Sequence, residues 1–138
     1  MDPNFILAHF RLGSLYEEGG RYDEAISEFK EVLRLSGGKP LGASALARVY
    51  ALAGKRAEAQ KDLDELIKLS QQRFVSPASI ALIYIALGNK DQAFSWMEKS
   101  NDLRELNIVR LNADPRFDPL RSDPRFTALV RRIGIPSP

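Results

Sequence analysis

Tyr16, Tyr50 and Tyr84 stand 34 residues apart, and that interval constrains the fold of this chain more than any other feature. Gly20, Gly54 and Gly88 keep it too, and so do Ala25, Ala59 and Ala93. Leu12, Leu46 and Ile80 are large and apolar, Gly13, Ala47 and Ala81 are small, and Phe29, Leu63 and Met97 are large again. Agreement of these columns over three periods defines a repeat whose units bury their apolar faces against their neighbours.

The columns have a direct physical reading. Leu12-Gly13-x-x-Tyr16 sets a large residue, a small one and an aromatic on one helical face. The small residue admits a second helix closely, and leucine and tyrosine fill the space beside it. Each glycine at 20, 54 and 88 suits the left-handed position that ends a helix. The next helix opens with Asp23-Glu24 or Asp91, carboxylates that favour a positive helix N-terminus. Ala25, Ala59 and Ala93 then pack back on the first helix. Each unit is predicted to be an antiparallel helix hairpin.

Leu12-Gly13-x-x-Tyr16, Gly20, Ala25 and Phe29 resemble the signature of the tetratricopeptide repeat, whose period is also 34 residues. The resemblance runs over about residues 6 to 102 and implies an all-α fold. In it, a right-handed superhelix of three antiparallel hairpins (about 6–38, 40–72 and 76–102) is closed by C-terminal capping helices in 103–138. Gly37 and Gln71 stand where the family usually places proline, and Ser100 where it usually has alanine. The repeat junctions are therefore expected to be irregular, with Ser76-Pro77 capping and opening the third hairpin. Asp2-Pro3-Asn4 resembles the junction closing an earlier repeat, so the chain is expected to be part of a longer array or multidomain protein.

Beyond Ser100 the period fails. Residues 103–112 still read as a helix, with Leu103, Leu106 and either Val109 or Arg110 on one side. Asp114-Pro115-Arg116-Phe117 is followed by Asp123-Pro124-Arg125-Phe126, each Asp-Pro fit to cap a helix and fill its first turn. A last helix from about Pro124 to Ile133 carries Phe126, Leu129, Val130 and Ile133 on one face. Gly134 is its expected C-cap, and Pro136 forbids continuation. This segment would cover the last repeat. It is similar to the closing segment of many bacterial tetratricopeptide proteins, where repeats follow a winged-helix DNA-binding, nucleotide cyclase or protein kinase domain. That resemblance implies the sensory or scaffolding end of a regulatory protein.

Chemistry is sparse. His9 is the only histidine and there is no cysteine, so neither a metal centre nor a cofactor is expected. His9 shares its column with Ala43 and Pro77, a packing position rather than that of a base. No serine sits in a nucleophile elbow, and Gly37-Gly38-Lys39 lacks both the strand and the spacing of a phosphate loop. Glu17-Glu18 and Asp64-Glu65 read as solvated helix faces. No enzyme is expected. The absence of cysteine suits a reducing compartment, and the expected location is cytoplasmic.

The formal net charge is +2, too small to mark a nucleic-acid or membrane binder. No apolar run approaches the roughly 18–20 residues that span a bilayer. From Leu103 on, Arg104, Arg110, Arg116, Arg121, Arg125, Arg131 and Arg132 outnumber four carboxylates. Aspartates beside the motif arginines favour local ion pairs, with the phenylalanines buried, over contact with nucleic acid.

In a stack of such hairpins the first helices line a groove. The groove residues expected here are Leu7, Phe10, Arg11, Ser14 and Glu17, then Ala45, Arg48 and Leu52, then Leu82. Family members that clamp a peptide's terminal carboxylate use lysine, asparagine and arginine at five columns, which here hold Phe10, Ser14, Ala45, Val75 and Ser79. That clamp is not expected. The helix Ile80–Leu87 is apolar all round and needs cover, either from residues 103–133 or from a partner. Arg11 and Arg48 would then select an acidic or carboxylate-bearing segment. A protein or peptide ligand is the expected partner, with a homodimer as the alternative.

Overall fold

The structure is a computed structural model that describes residues 3–134; the readings of Asp2 and Pro136 lie outside the described residues. The predicted hairpins are α1 (Pro3–Glu18) with α2 (Tyr22–Leu35), α3 (Pro40–Leu52) with α4 (Arg56–Ser70), and α5 (Pro77–Leu87) with α6 (Lys90–Asp102). Helices α7 (Ile108–Ala113), a 3₁₀ helix (Pro115–Leu120) and α8 (Pro124–Gly134) follow. The fold is all-α, with no strand among the described residues.

The repeated glycines act as read. Gly20, Gly54 and Gly88 have φ of 75°, 79° and 80°, which the absence of a Cβ makes free of cost. Each lets the chain turn so that a later N–H reaches back to the column tyrosine. Arg21 N–H donates to the Tyr16 carbonyl at 2.8 Å, Lys55 N–H to Tyr50 at 2.9 Å and Asn89 N–H to Tyr84 at 2.9 Å. These bonds satisfy carbonyls that a helix end otherwise leaves open. Gly37 and Gly38, at φ 71° and 83°, close α2 in the same way, which explains why proline is absent there: its ring forbids positive φ.

The chain divides between Val75 and Ser76 into two units. In the first, α1 packs on α2, α2 on α3 and α3 on α4. Ala25, Ile26, Phe29, Leu46 and Val49 form a core, flanked by Phe10, Tyr16 and Tyr50. In the second, α5 and α6 share a core with the C-terminal segment. Ala78, Leu82 and Ile85 of α5 are buried with Leu106, Leu111, Phe117, Leu120 and Leu129. Phe117 and Leu120 are fully buried, so the Asp-Pro-Arg-Phe motif supplies core side chains. Burial of each such residue stabilises by about 1.5–3 kcal/mol.

Two expectations change. Residues 103–112 are not one helix: α6 runs to Asp102, Leu103 is exposed, and Arg104 takes a left-handed φ of 59°. Glu105 N–H then donates to the Ser100 carbonyl at 3.0 Å, the same closure the glycines make. Asn107 restarts the chain as α7 by accepting from Arg110 N–H at 2.8 Å. The other change is small. Gly134 is the last residue of α8 and not a cap beyond it.

Ser100 departs from alanine for a visible reason. Its hydroxyl donates to Glu105 Oε1 at 2.9 Å. The same carboxylate accepts from Ala78 N–H at 3.2 Å and from the Ser76 hydroxyl at 2.7 Å. Ser76 caps α5 as expected, accepting from Ser79 N–H at 3.3 Å. Glu105 is thus a second cap for α5, supplied by the turn after α6.

Candidate functional site

The groove residues predicted from sequence fall into three groups. Leu7 and Arg11 of α1 are exposed, and among the described residues no carboxylate pairs with Arg11. Phe10, Ser14, Ala45 and Leu52 are half-buried. Phe10 tilts against Phe29 with ring centroids 5.6 Å apart, so it belongs more to the hairpin core than to a groove. The Ser14 hydroxyl donates to the Phe10 carbonyl at 3.0 Å and is turned onto its own helix. Leu82 lies in the second unit, is only 4% exposed, and is covered by the C-terminal segment. It offers no docking surface.

Glu17 and Arg48 are brought together as an ion pair joining α1 to α3, both side chains largely buried. Arg48 therefore does not present a free cation, which corrects the expectation drawn from sequence, and Glu17 is not on a solvated face. Arg48 Nε is buried without a hydrogen-bond partner, so the pair ties the two helices while leaving one donor unsatisfied. The signal was present in the sequence. Ser14 and Arg48 share a column, as do Glu17 and Ala51, so opposite charges stand on neighbouring columns of adjacent first helices.

His9 serves packing, its Nδ1 lying 2.6 Å from Glu28 Oε2 and linking α1 to α2. Among the described residues no group of three or more His, Asp or Glu is placed to hold a metal ion. No described helix is long and apolar enough to cross a membrane.

The C-terminal arginines are largely engaged. Arg116 pairs with Asp114 at 2.7 Å, Arg121 with Asp118 at 2.6 Å, and Arg125 with both Asp91 and Asp123 at 2.7 and 2.9 Å. Arg132 pairs with Glu98. Hydrogen bonds from the Arg125 side chain and backbone hold the Asp123 carboxyl below its usual range. Burial pushes the Asp114 carboxyl up, but bonds from Arg116 outweigh it and the net shift is downward. Among the described residues Phe117 and Phe126 are buried. The guanidiniums of Arg121 and Arg125 already lie over the Phe126 and Phe94 rings at 5.5 and 4.5 Å, so these aromatics are not open platforms for stacking bases.

One feature was not legible. On the first unit, α2 and α4 both pack on α3 and leave a trough of about 350 Å³ between them. Asp62 of α4 stands at its margin, half-buried. It shares a column with Glu28 and Trp96, and no sequence signal sets it apart from an ordinary solvated carboxylate.

The model of the tetratricopeptide repeat family matches residues 6–38 and, separately, residues 78–105. No curated protein and no solved structure matches the chain. The matched segments are the first hairpin and most of the third with its closing turn. Between them α3 and α4 repeat the same columns and the same glycine closure. Repeats of this kind are in general protein–protein interaction modules and not enzymes. On the strength of the matched hairpins and their shared 34-residue geometry, the chain is a tetratricopeptide-repeat protein.

Proposed function

We propose that the first unit docks a peptide or extended protein segment on the face of α1 and α3 that carries Leu7, Arg11, Ala45 and Leu52. One contrast supports this reading. Val75, in the column of Leu7, is buried, and Leu82 of α5, in the column of Arg48, is covered by the chain's own C-terminal segment, whereas Leu7 and Arg11 stay exposed on α1. Phe10, Ser14, Glu17 and Arg48 shape the face and hold its helices together. With Arg48 neutralised by Glu17, Arg11 is the cation that selects an acidic or carboxylate-bearing ligand. A face that is already formed binds without first ordering itself. The Asp-Pro-Arg-Phe segment, through its likeness to bacterial regulators, favours a place in a larger regulatory or scaffolding protein of the cytoplasm.

The test is selection from a displayed peptide library on immobilised chain, in parallel with an Arg11→Glu variant shown by circular dichroism to be folded. Acidic peptides enriched on the wild type and lost on the variant are the expected result. Enrichment of the same peptides on both would sink the assignment.

A second reading, self-association, has its own observation. Phe5, Leu12 and Leu15 lie on one side of α1 and are 59%, 38% and 63% exposed. Leu46 and Val49, at the columns of Leu12 and Leu15 in α3, are buried. Sedimentation equilibrium over a wide concentration range decides it: a dimer dispersed by Leu12→Glu/Leu15→Glu supports the reading, and a monomer throughout removes it.

A further inference from the structure

The trough between α2 and α4 is floored by Leu46 and Tyr50 of α3 and walled by Leu33 on one side and by Leu66 and Leu69 on the other. Its volume, about 350 Å³, lies in the range of pockets that receive a ligand. Asp62 and Glu65, neighbours on one face of α4, stand at its edge. Among the described residues neither makes an ion pair or a side-chain hydrogen bond, although nearby Asp64 accepts from Gln60 at 2.9 Å. Burial pushes the Asp62 carboxyl up, and Glu65 and Glu58 add to that, against a weaker pull from Lys61 and Lys30. A carboxylate set beside apolar walls, with lysines near but none paired to it, is unfavourable in the free chain. A cation arriving from outside removes the penalty, and the apolar floor supplies the rest of the contact.

We infer that this trough docks a basic segment of a partner protein, seating an apolar side chain on Leu46 and Leu66 while a neighbouring arginine or lysine pairs with Asp62 and Glu65. The site is separate from the Arg11 face: it is built on the second helices of the first two hairpins, and it selects the opposite charge. Arginine fits best, because its planar fork meets a carboxylate with two bonds and its stem lies along apolar surface.

The probe is a capped synthetic peptide of alternating leucine and arginine, titrated into the isotope-labelled full chain and followed by amide shifts. A counterpart with glutamate in place of arginine is the control. The expected result is movement of amides around Leu33, Leu46–Tyr50 and Leu66–Leu69, no movement with the glutamate peptide, and weaker binding at high salt. Asp62→Asn/Glu65→Gln should weaken binding by about tenfold or more, with a thermal midpoint equal to or above that of the wild type. That pairing of unchanged stability with lost binding separates a docking role from a structural one. Shifts confined to the Glu17–Glu18 end of α1, or binding undiminished in the double variant, would overturn the proposal. So would self-association of the unliganded chain abolished by Asp62→Asn, which would assign the trough to a second copy's basic end.

Discussion

Gly13 lies so close to Phe29 that a Cβ added to it would stand 2.7 Å from the ring's Cε1. The neighbouring repeats hold alanine in that column, Ala47 and Ala81, where the large column holds Leu63 and Met97 rather than phenylalanine. The volume gained by the aromatic is thus given up at the glycine. Gly13→Ala gains about 1 kcal/mol of helix propensity but overpacks a site where such strain costs about 1–3 kcal/mol, so a net loss of about 1 kcal/mol is expected in urea denaturation. Gly13→Ala/Phe29→Leu should lose less than the sum of its parts, since the two positions share one space. The size trade could be read from the repeat columns alone. The environment of Asp62 could not, because half-burial depends on how far α2 and α4 splay over α3. Its raised pKa carries a definite sign. The folded chain holds that proton to higher pH than the unfolded chain does, so the carboxyl costs nothing below the unfolded pKa and destabilises increasingly as pH rises through the folded one. Asp62→Asn should therefore remove a decline in stability across the mildly acidic range, measured as the difference between thermal midpoints of variant and wild type against pH.

Among the elements, the turn between α6 and α7 shows where periodic reasoning stops. Leu103, Leu106 and Val109 have helical spacing, yet the closure at Arg104 and the cap at Asn107 break the helix between them. Apolar spacing marks residues that face a core; it does not distinguish a continuous helix from two segments that meet at a turn. What fixes this turn is Glu105, which joins Ser76, Ala78 and Ser100. Long-range capping of this kind leaves no trace in local sequence apart from the serine that replaces alanine in its column. Glu105→Ala strips three bonds from a half-buried carboxylate and should cost about 1–3 kcal/mol, whereas Ser100→Ala removes one and should cost about 1 kcal/mol. Arg104→Gly relieves a left-handed backbone that disfavours side chains by about 1–2 kcal/mol, so it should leave stability unchanged or raise it. Chemical denaturation of the three variants checks that order.

For the whole molecule, the 34-residue columns specified three hairpins, their glycine closures and most of the residues that face inward, because each of these is decided within a repeat or between neighbours. Leu12 is the exception, exposed where Leu46 and Ile80 of its column are buried. The docking face was only half legible. Exposure of Leu7 and Arg11 follows from their place on α1, but the loss of Arg48 to Glu17 and of Leu82 to the C-terminal segment depends on which side chains meet in space. That segment is the least periodic part of the chain and supplies much of the second unit's core. Phe117 is fully buried there beside Leu82, Ile85, Leu111 and Leu120, and it comes from a 3₁₀ helix that would hold no fixed shape alone. If this core holds the second unit together, Phe117→Ala leaves a cavity no neighbour can fill and costs about 3–5 kcal/mol. Trp96, the chain's single tryptophan, packs at the edge of the same core and reports on it directly. Its fluorescence transition in urea should move to markedly lower concentration in Phe117→Ala, while Phe74→Ala, which truncates an exposed ring in the first unit, should move it little. Equal shifts from the two changes would mean that the aromatic of the Asp-Pro-Arg-Phe motif is not what anchors the second unit.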